Sequence, residues 1–226
     1  MWQALRAELE PLGVEIVTVA LDVDPESARP FVERAEPEHP SLIDRAHVVD
    51  ELFGIVNVPN SVWIDEQGVI VRPVEVSNVR ESAIASGKVD PASLPAKLRE
   101  LITGIHYDHE SYVAALRDWA AKGAESTWAL EPHEVIARST PRSPETARAA
   151  AHFELGEHLH RLGPVEAAQR HWREAHRLAP ENWTYKRQAW QLVDPGAPGP
   201  TDVYDGSWIE DVAASGAENY YPPLRP

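Results

Sequence analysis

A valine, a proline and then a short apolar run, Val58-Pro59-Asn60-Ser61-Val62-Trp63-Ile64-Asp65, constrains this chain more than any other segment. Proline lacks a backbone N–H, and it drives the residue before it out of the helical region. A strand is expected to begin here, and a plain edge strand opened by Pro59 is the competing reading. Glu66-Gln67-Gly68 interrupts the run and Val69 to Val76 resumes it, which is the pattern of an antiparallel hairpin. Upstream, Val14 to Leu21 reads as a buried strand rich in β-branched residues, bounded by Gly13 and by Asp22-Val23-Asp24. A helix is predicted next, with Asp24 as cap, Pro25 at its first position and Ala28, Phe31, Val32 and Ala35 on one face. Pro30 predicts a kink or a late start in that helix. Ser41-Leu42-Ile43 forms a short apolar step. Asp44 then caps a second helix expected to turn Val48, Val49, Leu52 and Phe53 inward before Gly54 ends it. Leu94, Leu98, Leu101 and Ile102 mark an amphipathic helix after Asp90-Pro91.

This order of strand, two helices, Val-Pro, hairpin and final helix resembles the thioredoxin superfamily, and the Asp65-Glu66-Gln67-Gly68 turn resembles its TlpA/ResA and redoxin branches. The resemblance covers residues 1–104. It implies a cis bond at Val58-Pro59, a backbone at Val58 that receives an extended substrate peptide, and thiol-disulfide or peroxide redox chemistry with a protein or peptide partner. Val58 and Pro59 are therefore the candidate substrate-binding residues. The family places Cys-x-x-Cys after a central first strand, where the positive end of the helix activates the thiol. None of the 226 residues here is cysteine, so no catalytic residue is assigned and no cofactor is expected. Met1 to Leu9 reads as the second half of the helix that follows that motif. The natural product is expected to extend upstream, carrying the missing strand and a cysteine or selenocysteine. An in-frame UGA codon, another start codon, a split gene or a degenerate domain would each account for the difference. The alternative is a catalytically silent scaffold that binds a protein partner.

Beyond Gly104 the pattern becomes helical, giving an expected fold of α/β followed by all-α: an incomplete thioredoxin-like sheet at 1–104, helices at 105–194 and a Pro/Gly-rich tail at 195–226. Tyr112, Ala115, Leu116 and Trp119 form one stripe, and Thr140-Pro141-Arg142-Ser143-Pro144-Glu145 forms a break with Ser143 as cap. Within about 149–182 the chain resembles one tetratricopeptide repeat, carried by Leu155-Gly156, Leu159, Gly163, Ala168, Trp172, Ala175 and Pro180. Gly156 and Ala168 allow close helix approach and Trp172 fills the groove. A single repeat cannot bury its own faces. Neighbours are expected in the Tyr112–Arg138 helices and in a helix from Trp183 that turns Tyr185, Ala189 and Trp190 inward. The resemblance implies peptide binding on the first helix, with Phe153, Glu157, His160 and Arg161 as candidates for contact with a partner. Phe153 and Glu157 stand where the family's carboxylate clamp has lysine and asparagine, which argues against that ligand. Plain packing against the sheet or a subunit is the competing reading.

A net charge of −15 disfavours nucleic acid, and Arg161, Arg170, Arg173 and Arg177 read as a solvated helix face. No secretory or membrane-spanning segment is visible, so the chain as given is expected in the cytoplasm, with any export signal lying upstream. Ten histidines invite a metal, but His106/His109/Glu110, His158/His160 and His171/His176 lack the spacing of a zinc site on one helix, so none is assigned. Tyr220-Tyr221-Pro222-Pro223-Leu224 is too apolar for a solvated tail and is expected to fold back onto the body or a partner.

Overall fold

The structure is a computed structural model that describes residues 2–139, 141–195 and 205–226; Met1, Thr140 and the Pro/Gly stretch at 196–204 lie outside the described residues. The first part is mixed α/β and the remainder helical. Helix α1 (Trp2–Leu9) buries Leu5 and Leu9, one turn apart on one face, against Ile16 and Trp63. Strand β1 (Thr18–Leu21) pairs in parallel with β2 (Ser41–Asp44), Thr18 opposite Ser41 and Leu21 opposite Asp44. Between them runs α2 (Pro25–Ala35), where Asp24 accepts the Glu26 N–H at 3.0 Å. The helix begins at Pro25 and continues through Pro30, so the late start anticipated from that proline does not occur.

Helix α3 (Val48–Phe53) departs from expectation more instructively. The N-cap is His47, in the left-handed region and without a side-chain cap bond, not the expected Asp44, which nevertheless accepts the Val49 N–H at 2.6 Å. The inward residue is Asp50, however, while Val48, Leu52 and Phe53 lie exposed, Leu52 by 75%. A polar network reaching from α3 into the helical part draws Asp50 inside and turns the apolar side chains out.

Strands β3 (Asn60–Ile64) and β4 (Ile70–Val76) form the antiparallel hairpin. Its turn is set by Asp65, whose carboxylate accepts the N–H groups of Gln67 and Val69, and by Gly68 at φ +79°. Among the described residues the two strand pairs are separate two-stranded sheets. Thr18 and Asp22 donate to β2, so by parallel alternation the N–H groups of Val19 and Leu21 face the side without a strand. Val17, just before β1, and Leu42, on β2, remain more than half exposed.

Helix α4 (Ala96–Gly104) is followed by α5 (His109–Lys122) and α6 (Pro132–Arg138). The boundary expected at residue 104 falls inside one core. Tyr112 and Leu116 of α5 pack with Leu5, Leu9 and Trp63, and Trp119 stacks on Trp63 at 5.0 Å. Helix α5 therefore completes the α/β half instead of packing on the helices that follow. The segment expected to form a repeat folds as two helices, α7 (Pro144–Leu162) and α8 (Val165–Leu178). A Cβ on Gly156 would lie 2.6 Å from the Trp172 ring, so only glycine admits the fully buried indole at this crossing. Helix α9 (Trp183–Val193) adds Tyr185, Ala189 and Trp190 to the same core.

The C-terminal segment folds back onto the body. Helices α10 (Trp208–Ser215) and α11 (Ala217–Tyr220) place Val212, Tyr220 and Tyr221 against Leu101, Ile105 and Trp183. Arg72, 1% exposed, fastens the chain end: its guanidinium holds Glu75 and donates to the carbonyls of Trp128 and Arg225. Among the described residues no helix is long and apolar enough to cross a membrane.

Candidate functional site

The Val58-Pro59 bond is cis, with Val58 half-buried and Pro59 exposed at the mouth of β3. Asn57, almost fully buried, sets this ledge from behind: its Oδ1 accepts the Val58 N–H at 2.9 Å and its Nδ2 donates to the Tyr220 carbonyl at 3.1 Å. The start of α9 supports the same loop, because the Trp183 N–H donates to the Val56 carbonyl at 2.6 Å. The Val58 carbonyl is occupied from within the chain. The Tyr221 hydroxyl donates to it at 3.0 Å and Arg187 of α9 reaches it at 3.5 Å, while Arg187 also holds the Tyr220 hydroxyl. Burial raises the Tyr221 hydroxyl above its ordinary pKa, with Tyr220 adding to the effect, so it stays a neutral donor. The C-terminal segment thus occupies the Val58 carbonyl.

A second polar cluster lies where α3 meets α7 and α9. Nδ1 of His47 lies 2.9 Å from Asp50 Oδ2, and a carboxylate can only accept, so the proton sits on Nδ1. Thr184 Oγ1 stands 2.8 Å from the same carboxylate oxygen and 2.6 Å from Asn182 Oδ1. The imidazole is wedged edge-on against Phe153, with ring centres 5.0 Å apart, and Phe153 stacks on Tyr185 at 4.2 Å. Beyond it, His47 Nε2 faces Glu157 Oε1 at 3.9 Å, too long for a hydrogen bond. Among the described residues neither atom has a hydrogen-bond partner. Burial opposes a charge on His47, yet the hydrogen bond and charge of Asp50, then Glu157, lift its pKa above the ordinary value. For Glu157 burial dominates over the attraction of His47 and Arg161, and its carboxyl is pushed up to about 7.

The four candidates for contact with a partner separate here. Phe153 and Glu157, one helical turn apart, point inward against α3 and α9, and each is only 2% exposed, so neither can touch a peptide on an open face. Helix α7 leans on the α/β half with that face. His160 tilts against Trp172 at 5.6 Å, and Arg161 alone of the four is exposed. Among the described residues no three His, Asp or Glu side chains converge as metal ligands. His152 and His171 instead form a stacked pair, Nδ1 to Nδ1 at 2.9 Å. Arg173 and Arg177 pair with Asp205 and Glu174 on the surface. Sequence reasoning missed His47 and Asp50, whose only local signal is a polar pair at i and i+3 around a short helix start.

No family model, curated protein or solved structure matches this chain.

Proposed function

We propose that this chain is a recognition protein: an α/β module of thioredoxin-like build, joined to a tetratricopeptide-like helical pair, that holds an extended segment of a protein partner at the Val58-Pro59 ledge without redox chemistry of its own. One observation carries the reading. The Val58 carbonyl, the group through which the resemblance implies peptide binding, already accepts the chain's own Tyr221 hydroxyl at 3.0 Å. A peptide N–H would take the place of that hydroxyl, so the tail is a resident competitor. With no cysteine among 226 residues, the ledge has no nucleophile beside it to turn binding into disulfide exchange.

The test is a peptide selected from a random library on the immobilised full chain, with its affinity measured by calorimetry. Tyr221→Phe removes one hydrogen-bonding competitor worth about 1 kcal/mol, so the variant is expected to bind the peptide about fivefold more tightly. Equal affinity for both proteins, or failure of any peptide to bind, overturns the reading.

A second reading keeps oxidoreductase chemistry, with a cysteine or selenocysteine supplied from outside these residues. The edge of β1 that is unpaired among the described residues favours it, because a further strand could pair there. Genomic sequence upstream of the Met1 codon decides it. A strand-like segment ending in cysteine, or in an in-frame UGA codon, supports this second reading; its absence opposes it.

A further inference from the structure

Arg187 is the one residue of 182–190 that is not buried, and its guanidinium stands at the ledge itself. Nη1 lies 3.5 Å from the Val58 carbonyl oxygen, Nη2 holds the Tyr220 hydroxyl, and the central carbon stands 5.9 Å from the centre of the Tyr220 ring. The same guanidinium acts on the Tyr221 hydroxyl. Every one of these partners is neutral. Among the described residues no carboxylate pairs with Arg187.

A half-buried guanidinium has given up part of its hydration. A carboxylate would match its planar fork with two charge-assisted hydrogen bonds, which a carbonyl and a hydroxyl do not supply. The surroundings point the same way. The formal charges that act on Tyr107, whose ring meets that of Tyr221 at 5.5 Å, are both cations, Arg187 and Arg80. Arg80 is exposed and lies three residues beyond Ser77, whose N–H donates to the Pro59 carbonyl at 3.1 Å. It too lacks a carboxylate partner among the described residues. In a chain with 36 acidic and 21 basic residues, a ledge flanked by two such arginines is a local reversal of sign.

We infer that the segment held at Val58-Pro59 is acidic, with an aspartate or glutamate that Arg187 takes as the tail gives way. The inference rests on the ledge as recognition site and names the chemistry of its partner. The acid belongs on the residue whose N–H takes the Val58 carbonyl, or on an immediate neighbour, because Arg187 reaches that same oxygen. As Tyr221 leaves the carbonyl, the guanidinium exchanges neutral contacts for a charged pair. A basic segment would meet two cations, and a neutral one would offer Arg187 nothing that the tail does not already give. Arg80 adds attraction at longer range, which salt screens.

The experiment selects peptides from a random library on the immobilised full chain at low salt. The best binder whose footprint in ¹⁵N–¹H spectra includes Val58 and Tyr221 is then measured by calorimetry. Selected sequences are expected to be enriched in Asp and Glu over the input library. Replacing the acid of the best binder by its amide is expected to weaken binding to the parent chain about tenfold. On Arg187→Gln the same exchange is expected to change affinity by less than about twofold, because the two changes remove one shared interaction. Arg187→Lys, which keeps the charge without the fork, is expected to retain part of the preference. Raising salt from about 0.05 M to about 0.5 M needs no variant: the acidic peptide is expected to lose affinity several-fold and its amide form little. Absence of acid enrichment, equal affinity of the acid and amide forms, or a preference that survives Arg187→Gln overturns the inference. Peptides that bind with a footprint at Val58 and Tyr221 but show no acid preference overturn it while leaving the ledge reading in place, and failure of any peptide to bind overturns both.

Discussion

Replacing Glu157 with glutamine keeps the shape of a buried side chain and removes its charge, and the consequence for stability has a definite sign. In the folded chain the carboxyl ionises only at about 7, against 4.5 when unfolded, because burial outweighs the attraction of His47 and Arg161. Between these two values the folded state holds a proton that the unfolded state has lost. Stability therefore falls as pH rises through this window. The elevation corresponds to about 3 kcal/mol at most, present as a penalty once the folded carboxyl is ionised. His47 acts in the same direction: its pKa is raised in the fold, so the stability it contributes at low pH is lost as pH rises through that folded value. Glu157→Gln deletes the first contribution and trims the second, because the imidazolium loses a neighbouring carboxylate. The net gain near pH 8 is expected to be about 1–3 kcal/mol. With a urea slope of about 2–3 kcal/mol/M, the midpoint of the variant should lie about 0.3–1.5 M above that of the parent near pH 8 and coincide with it near pH 4.5. A variant midpoint that is lower near pH 8, or an offset that does not change with pH, would refute the claim that this carboxylate is buried without a partner.

Gly156→Ala places a Cβ 2.6 Å from the Trp172 ring and 3.2 Å from the Ala168 carbonyl, and is expected to cost about 1–3 kcal/mol in thermal or urea unfolding; a neutral result would show that the α7–α8 crossing is looser than described. Asp50→Ala leaves His47 Nδ1 and one role of the Thr184 hydroxyl without an acceptor in the interior, for an expected loss of about 3 kcal/mol, and a loss under about 1 kcal/mol would mean that the network is not a structural tie between α3 and α9. Hydrogen exchange resolved by residue should show the N–H groups of Val19 and Leu21 exchanging far faster than those of Thr18 and Asp22, which donate to the Pro40 and Asp44 carbonyls. Equal protection along the strand would mean that the open edge of β1 is paired after all.

Local chemistry makes the hairpin legible, since Asp65 and Gly68 leave little choice of turn, and it makes the α7–α8 pair legible, since a small residue on one helix and a tryptophan on the next can pack closely in few ways besides ring over glycine. Tyr185, Ala189 and Trp190 announce their burial by helical spacing alone. Helix α3 does not, because over six residues either face can be read as apolar and the deciding partner, Thr184, lies 134 positions away from Asp50. The same limit hides the fate of Phe153 and Glu157: their position on the first helix of a repeat is readable, but the body covering that face is not. Helix α5 joins a core other than the expected one for a related reason, as its stripe fits any apolar surface and only Trp63 and Tyr112 together select the α/β half. The apolar Tyr220-Tyr221 pair signals a docked tail, while its landing point depends on Asn57 and Arg187, each brought there by the chain's path.

The most direct measurement is the footprint of a library-selected peptide on the full chain in ¹⁵N–¹H spectra. Perturbations are expected to centre on Asn57, Val58 and Asn60 and to include Tyr220 and Tyr221 as the tail yields the Val58 carbonyl. A footprint confined to α7 and α8, with Val58 and Tyr221 unmoved, would contradict the assignment of the ledge as the recognition site.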